Sequence, residues 1–204
     1  MGAFAYPGGV STSTSTRTST WPTAAVASIG FVALLWVVEI ADQLTPGATL
    51  DDNGIRPRTD EGLVGVLLAP LLHGGWPHLV SNSGLALLLL FLVLVGDVRR
   101  GLLATGIVWV VAGLGTWLIA GAGTSHIGAS GLVFGWLTYL VLRGFFARRP
   151  GQIVLGIVLF LMYGSILWGV LPGQPGISWQ GHLFGAVGGV LAARALAERR
   201  SRPA

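Results

Sequence analysis

The sequence has no cysteine and no lysine, and charge of either sign is scarce. Its 204 residues hold 12 arginines and 8 acidic residues, so only 10% are charged. Without cysteine there are no disulfides, no thiolate metal sites and no cysteine nucleophile. Little charge beside 52% hydrophobic residues and a mean hydropathy of +0.74 excludes a soluble domain of this size. The net charge of +4 would suit nucleic acid, but the cations are all arginine and spread over several loops. That distribution is a membrane-topology signal and argues against nucleic acid as a partner.

What the chain does have is a series of long apolar runs. Residues 1–23 are rich in Gly, Ser and Thr with one charge, Arg17, and read as a disordered cytoplasmic tail. Apolar stretches follow at about 23–39, 79–96, 102–120, 130–146, 152–171 and 182–197. The first has no convincing cleavage site before Asp42 and reads as an uncleaved span. The expected fold is an all-α membrane protein, a bundle of six transmembrane helices over residues 24–198, with a cytoplasmic tail at 199–204. The one long connection runs from residue 43 to 77.

Placing the N-terminus inside puts ten of the twelve arginines on the cytoplasmic side and leaves only Arg56 and Arg58 outside. Both termini are then cytoplasmic, and arginine without lysine fits a bacterial plasma membrane. In this orientation Ser130 precedes Arg143 by 13 positions, His182 precedes Arg194 by 12 and Asn82 precedes Asp97 by 15. At about 1.5 Å per residue these are roughly 20, 18 and 22 Å, one shared depth below the outer surface.

Polar side chains at that depth need partners or water, and intramembrane histidines are functional suspects. No Asp or Glu lies between Asp97 and Glu198, so a Ser/His/Asp triad would have to borrow its acid from the first span or loop. A dyad is more economical: His182 takes the Ser130 proton and later protonates the leaving amine. The first N–H groups of a helix starting at Ser130, with His78 and Asn82 at the same height, are candidate oxyanion donors. His126, four residues before Ser130, is a rival base, but a Gly-rich loop offers it less rigidity. Gly131 to Gly135 and Gly185 to Gly189 are GxxxG spacings that let helices pack closely. No HExxH occurs, and neither metal nor cofactor is expected. A proton channel or transporter using the histidines is disfavoured by the absence of intramembrane carboxylates and of inverted repeats.

Together these residues resemble the rhomboid intramembrane serine proteases. The likeness runs over about residues 54–194. It rests on His73-Gly74-Gly75-Trp76-Pro77-His78-Leu79-Val80-Ser81-Asn82, with its HxxxxHxxxN spacing, on Gly128-Ala129-Ser130-Gly131, which matches GxSG, and on Gly181-His182-Leu183-Phe184-Gly185 with Gly189. The resemblance implies Ser130 as nucleophile, His182 as base, an oxyanion hole lined by His78 and Asn82, and support from His73. Phe134 stands where the family often has Tyr and can still stack on His182. The family's first-loop Trp-Arg pair is missing, and residues 54–58 look like a replacement found in a bacterial branch. Implied partners are the lipid bilayer and single-span protein substrates cleaved near the outer face, admitted past a gate formed by the fifth span. A non-catalytic relative that escorts transmembrane clients is the alternative.

Overall fold

The structure, a computed structural model, describes residues 20–45 and 49–197. Most of the expected tail at 1–23, and all of 199–204, lie outside the described residues. Among those described there are seven α-helices: α1 (Trp21–Gln43), α2 (Asp60–Leu68), α3 (Trp76–Leu94), α4 (Val98–Ile119), α5 (Ser130–Ala147), α6 (Pro150–Tyr163) and α7 (Trp179–Ala195). Short 3-10 segments lie at Leu50–Asn53, Ala69–Leu71 and Gly164–Val170.

Local chemistry sets the boundaries. Proline stands in the first two positions of α1, α3 and α6, where its missing N–H costs nothing. Asp97 caps α4 by accepting the Arg100 N–H at 2.9 Å, and Thr59 caps α2 by accepting that of Gly62 at 3.0 Å. Two boundaries differ from the sequence expectation in ways that matter. Helix α3 begins at Trp76, which takes His78 into its first turn, and α7 begins at Trp179, which sets His182 one turn inside the helix instead of at its head. Helix α1 likewise starts at Trp21, so Trp21, Pro22 and Thr23 belong to it and not to a tail.

Five segments are long and apolar enough to cross a membrane: α1, α3, α4, α5, and α6 continued through the 3-10 segment to Val170. The expected sixth, α7, has 17 residues, rich in Gly and Ala. It packs between α5 and α4, its two largest neighbours, and so needs fewer bulky lipid-facing side chains. The Pro150–Val170 segment is the opposite case, with only 11% of its length buried against the rest, compared with 56% for α5.

The connection at 43–77 is not a plain loop. Its helix α2 docks on α4, where Trp109 and Trp117 donate their indole N–H groups to the carbonyls of Val66 and Thr59, each at 2.9 Å. Arg58 donates to the carbonyls of Leu118 and Ala120 at 3.0 and 2.8 Å, satisfying the free end of α4 with a cation. Ile55 and His126 pair through both backbone groups, at 2.9 and 3.1 Å, tying this connection to the 121–129 loop.

The decisive packing is between α5 and α7, where glycines interleave. A Cβ at Gly185 would lie 2.1 Å from the Gly131 carbonyl oxygen, one at Gly135 2.8 Å from that of Gly185, and one at Gly189 2.3 Å from that of Gly135. Backbone therefore meets backbone along the whole seam. Around it, Leu132, Trp136, Leu137 and Leu140 are fully buried. Gly185→Ala is expected to destabilise the bundle by about 1–3 kcal/mol through overpacking, read as a lower melting temperature in detergent; an unchanged melting curve would mean that the seam is looser than described.

Candidate active site

Because α5 and α7 run so close, their first turns bring Ser130 and His182 together. His182 Nε2 is 2.9 Å from Ser130 Oγ. On the far side of the ring, Nδ1 is 3.0 Å from the carbonyl oxygen of Gly169, in the 3-10 segment after α6. A carbonyl can only accept, so Nδ1 carries the hydrogen and the neutral ring presents its Nε2 lone pair to the serine hydroxyl. Phe134, one turn along α5 from Ser130, stacks on the imidazole with centroids 4.0 Å apart and an interplanar angle of 13°.

His78 approaches from α3. Its Nδ1 accepts the Gly74 N–H at 3.3 Å, which leaves Nε2–H as a free donor. The ring lies against Gly128, whose φ of 113° and lack of a side chain are both needed: a Cβ there would meet His78 Nε2 at 2.7 Å and Ser130 Oγ at 3.8 Å. Asn82 is buried one turn further along α3 and gives one amide hydrogen to the His78 carbonyl at 2.9 Å, keeping the other. His78, Asn82, Ser130 and His182 all line one cavity of about 840 Å³.

His73 stands behind this group. It is fully buried, its ring sits edge-on to His78 with centroids 5.1 Å apart, and its Nε2 accepts the Ala129 N–H at 3.4 Å. Burial, and secondarily the neighbouring His78, pushes its pKa down to about 4, which keeps the accepting nitrogen free of a proton. The adjacent Gly128 N–H goes to the Ala69 carbonyl at 2.8 Å. With the two preceding amides so committed, those of Ser130 and Gly131 are the first of α5 and have no acceptor within the helix. Gly131, Gly185 and Gly189 contribute through the seam. Asp51 lies near the His73 backbone, whose N–H favours its charged form, but burial first, then Asp42 and Glu39, raise its pKa to about 6. Among the described residues no three His or acidic side chains converge as metal ligands.

The rhomboid-domain family model matches residues 60–199. The chain belongs to the rhomboid family. Rhomboid membership and the five long apolar helices make it an integral, multi-pass membrane protein, and support intramembrane proteolysis as its general activity. An uncharacterized protein of Mycobacterium tuberculosis is 48% identical over 94% of this rhomboid chain and 83% of its own length. One from Mycobacterium leprae is 43% identical over 89% and 76%. A Bacillus subtilis protein, YdcA, provisionally named as a rhomboid protease, is 29% identical over 67% of this chain and 69% of its own.

Two features of the site escape a reading of residue types. The carbonyl of Gly169 is a backbone group that any residue carries, so no side chain announces it. The partner of His126 is Ser178, 52 positions away, at 2.8 Å, and the loop carrying His126 is more firmly held than its glycines suggest because Ile55 pairs with it.

The depressed pKa of His73 has a sign that can be checked. The unfolded chain takes up the proton at its ordinary pKa near 6.5 and the folded protein only near 4, so this contribution to stability is present above 6.5 and is lost as pH falls towards 4. Asp51, with its raised value, works in the opposite sense. The comparison is therefore between wild type and His73→Gln, which keeps an acceptor but does not titrate: melting in detergent is expected to show wild type losing more stability than the variant between pH 6.5 and 4.

Proposed function

We propose that this rhomboid protein is a serine endopeptidase that cleaves single-span membrane proteins, with Ser130 as nucleophile and His182 as general base. The reading is carried by the His182 tautomer. A hydrogen bond from Nδ1–H to a fixed carbonyl is what a dyad without a carboxylate requires, since it aims the basic nitrogen at the hydroxyl and stabilises the imidazolium that forms. Ser130 Oγ attacks the scissile carbonyl carbon as its proton passes to His182 Nε2, and the electron pair of the C=O bond moves onto oxygen. Collapse of this intermediate expels the amine, which takes the proton from His182. Water then repeats the sequence on the acyl-enzyme and frees the acid.

The oxyanion is assigned to the space above Gly128. An oxygen there faces His78 Nε2–H and lies beside the unbonded amides at the start of α5, and Asn82 has an N–H to spare. Donors already held by the fold need no reorganisation when charge develops. The cavity in front of the dyad admits water, and the sparsely packed Pro150–Val170 segment is the lateral gate for substrate. A substrate helix has to unwind to expose a carbonyl, so small or helix-breaking residues at the cleavage site favour attack. In this reading α7 is the sixth span, residues 24–198 form one membrane domain, and both termini lie in the cytoplasm of a bacterial cell, which puts the dyad near the outer face. A protein that merely escorts clients has no use for a base held in the reactive tautomer.

In detergent with a model transmembrane substrate, Ser130→Ala and His182→Ala are expected to abolish cleavage, and equal turnover by all three proteins would overturn the mechanism. Fluorophosphonate labelling of Ser130 separates the enzyme from a client-binding relative, which would stay unlabelled. Loss of His78 or Asn82 is expected to slow cleavage by about 10² to 10³-fold. Gly169→Ala places a methyl 3.0 Å from His182 Nδ1 and 2.9 Å from the Phe134 ring. The displaced imidazole is expected to lower kcat by at least about 10-fold, while wild-type kcat would assign the orientation of His182 to other contacts.

A further inference from the structure

One hydrogen-bonded relay beside the dyad is left unused by this chemistry. His126 Nε2 is 2.8 Å from Thr124 Oγ1, and Thr124 spends its own hydroxyl hydrogen on the Gly121 carbonyl at 2.7 Å. Nε2 must therefore carry the ring hydrogen, and Nδ1, 2.8 Å from Ser178 Oγ, is the acceptor for the Ser178 hydroxyl. Ser178 Oγ in turn accepts the Gly181 N–H at 3.2 Å, capping α7, while the Ser178 carbonyl accepts the His182 N–H at 3.1 Å. Each hydrogen in the relay has one place to go, and the imidazole fits it only as a neutral ring. Burial pushes the His126 pKa below its usual value, with no charged group contributing.

The mounting of this ring is rigid. Both backbone groups of His126 pair with Ile55, and four residues further along the same loop comes Ser130. On the other side, α7 is entered from a Pro/Gly-rich stretch at 171–178 that gives its first turn little support of its own. The glycine seam meets the first turn of α7 at the Gly181 carbonyl oxygen, 3.2 Å from where a Cβ at Gly131 would stand, and closes more tightly from Gly185 onward. The amide at the start of that turn is held against fraying by the cap and by what holds the cap.

We propose that His126 is a positioning residue: through Ser178 it fixes the first turn of α7, and with it His182, against the loop that presents Ser130. The inference rests on the dyad reading above, and its test is built to fail separately. Asn in place of His126 puts an acceptor where Nδ1 stood, whereas Gln puts its amide where Nε2 stood. His126→Ala and His126→Gln are therefore expected to lower the rate constant for fluorophosphonate labelling of Ser130 by about 10 to 10²-fold, the cost of a misplacement of about 1 Å, and His126→Asn is expected to restore most of it. Hydrogen exchange of the Gly181 and His182 amides should quicken in the Ala and Gln variants and return towards wild type in the Asn variant.

Wild-type labelling by His126→Ala overturns the proposal. So does an Asn variant as slow as Ala, which would make the ring's proton chemistry the essential property, and so does slow labelling without faster exchange, which would take the effect away from α7. Should wild type itself resist the phosphonate, the dyad reading fails, and the latch stands or falls on the exchange pattern alone.

Discussion

Everything at the site depends on how closely two helices approach. Side chains on α5 and α7 as ordinary as alanine would hold the backbones apart, because at Gly185 a single methyl already falls 2.1 Å from a carbonyl oxygen of the facing helix. The 2.9 Å contact between Ser130 and His182 is the end of that seam. In lipid, no hydrophobic gain drives helices together, so association has to come from packing of this kind. The residues proposed to do chemistry and the residues that permit approach are thus interleaved on the same two helices, within the GxSG and GxxxG spacings.

The second constraint is the accounting of backbone donors ahead of Ser130. Gly128 N–H is given to Ala69 and Ala129 N–H to His73, both on the connection before α3. Those two bonds fix where α5 starts, and so which amides stay free at the serine. His73 can accept only while neutral, which its burial ensures. Through the Ala129 N–H, the connection before α3 is tied to the residue that precedes Ser130, although His73 does not itself touch the serine.

Much of this was legible in the residues themselves. Apolar runs broken by Arg-Arg, Arg-Arg-Pro and Pro-Gly located the helices because charge and proline stop them. The polar residues at one depth singled out the candidate site because lipid penalises them, and the structure brings Ser130 and His182 within 2.9 Å. Less legible were the helix starts at Trp76 and Trp179, since Trp-Pro-His and Trp-Gln-Gly-His look like interfacial loop until tertiary contacts recruit them. Helix α2 was hidden for a related reason: nine residues are too short to read against background, and their position depends on two indoles more than forty residues away. What holds the 121–129 loop was not legible, because glycine content reports freedom in the unfolded chain and says nothing of the pairing with Ile55.

The acceptor for His182 Nδ1 sits on the least buried of the long apolar segments. Gly169 belongs to the continuation of α6, whereas the imidazole it orients belongs to a helix packed closely between α5 and α4. Any outward swing of residues 164–170 carries that oxygen away, leaving the ring to Phe134 and Ser130 and its Nδ1 hydrogen without an acceptor. Under the mechanism proposed above, an open flank and an armed base would be mutually exclusive conditions of the same molecule. For the proposed protease, admission and reaction would then be successive by construction, and idle hydrolysis suppressed whenever the wall stands ajar.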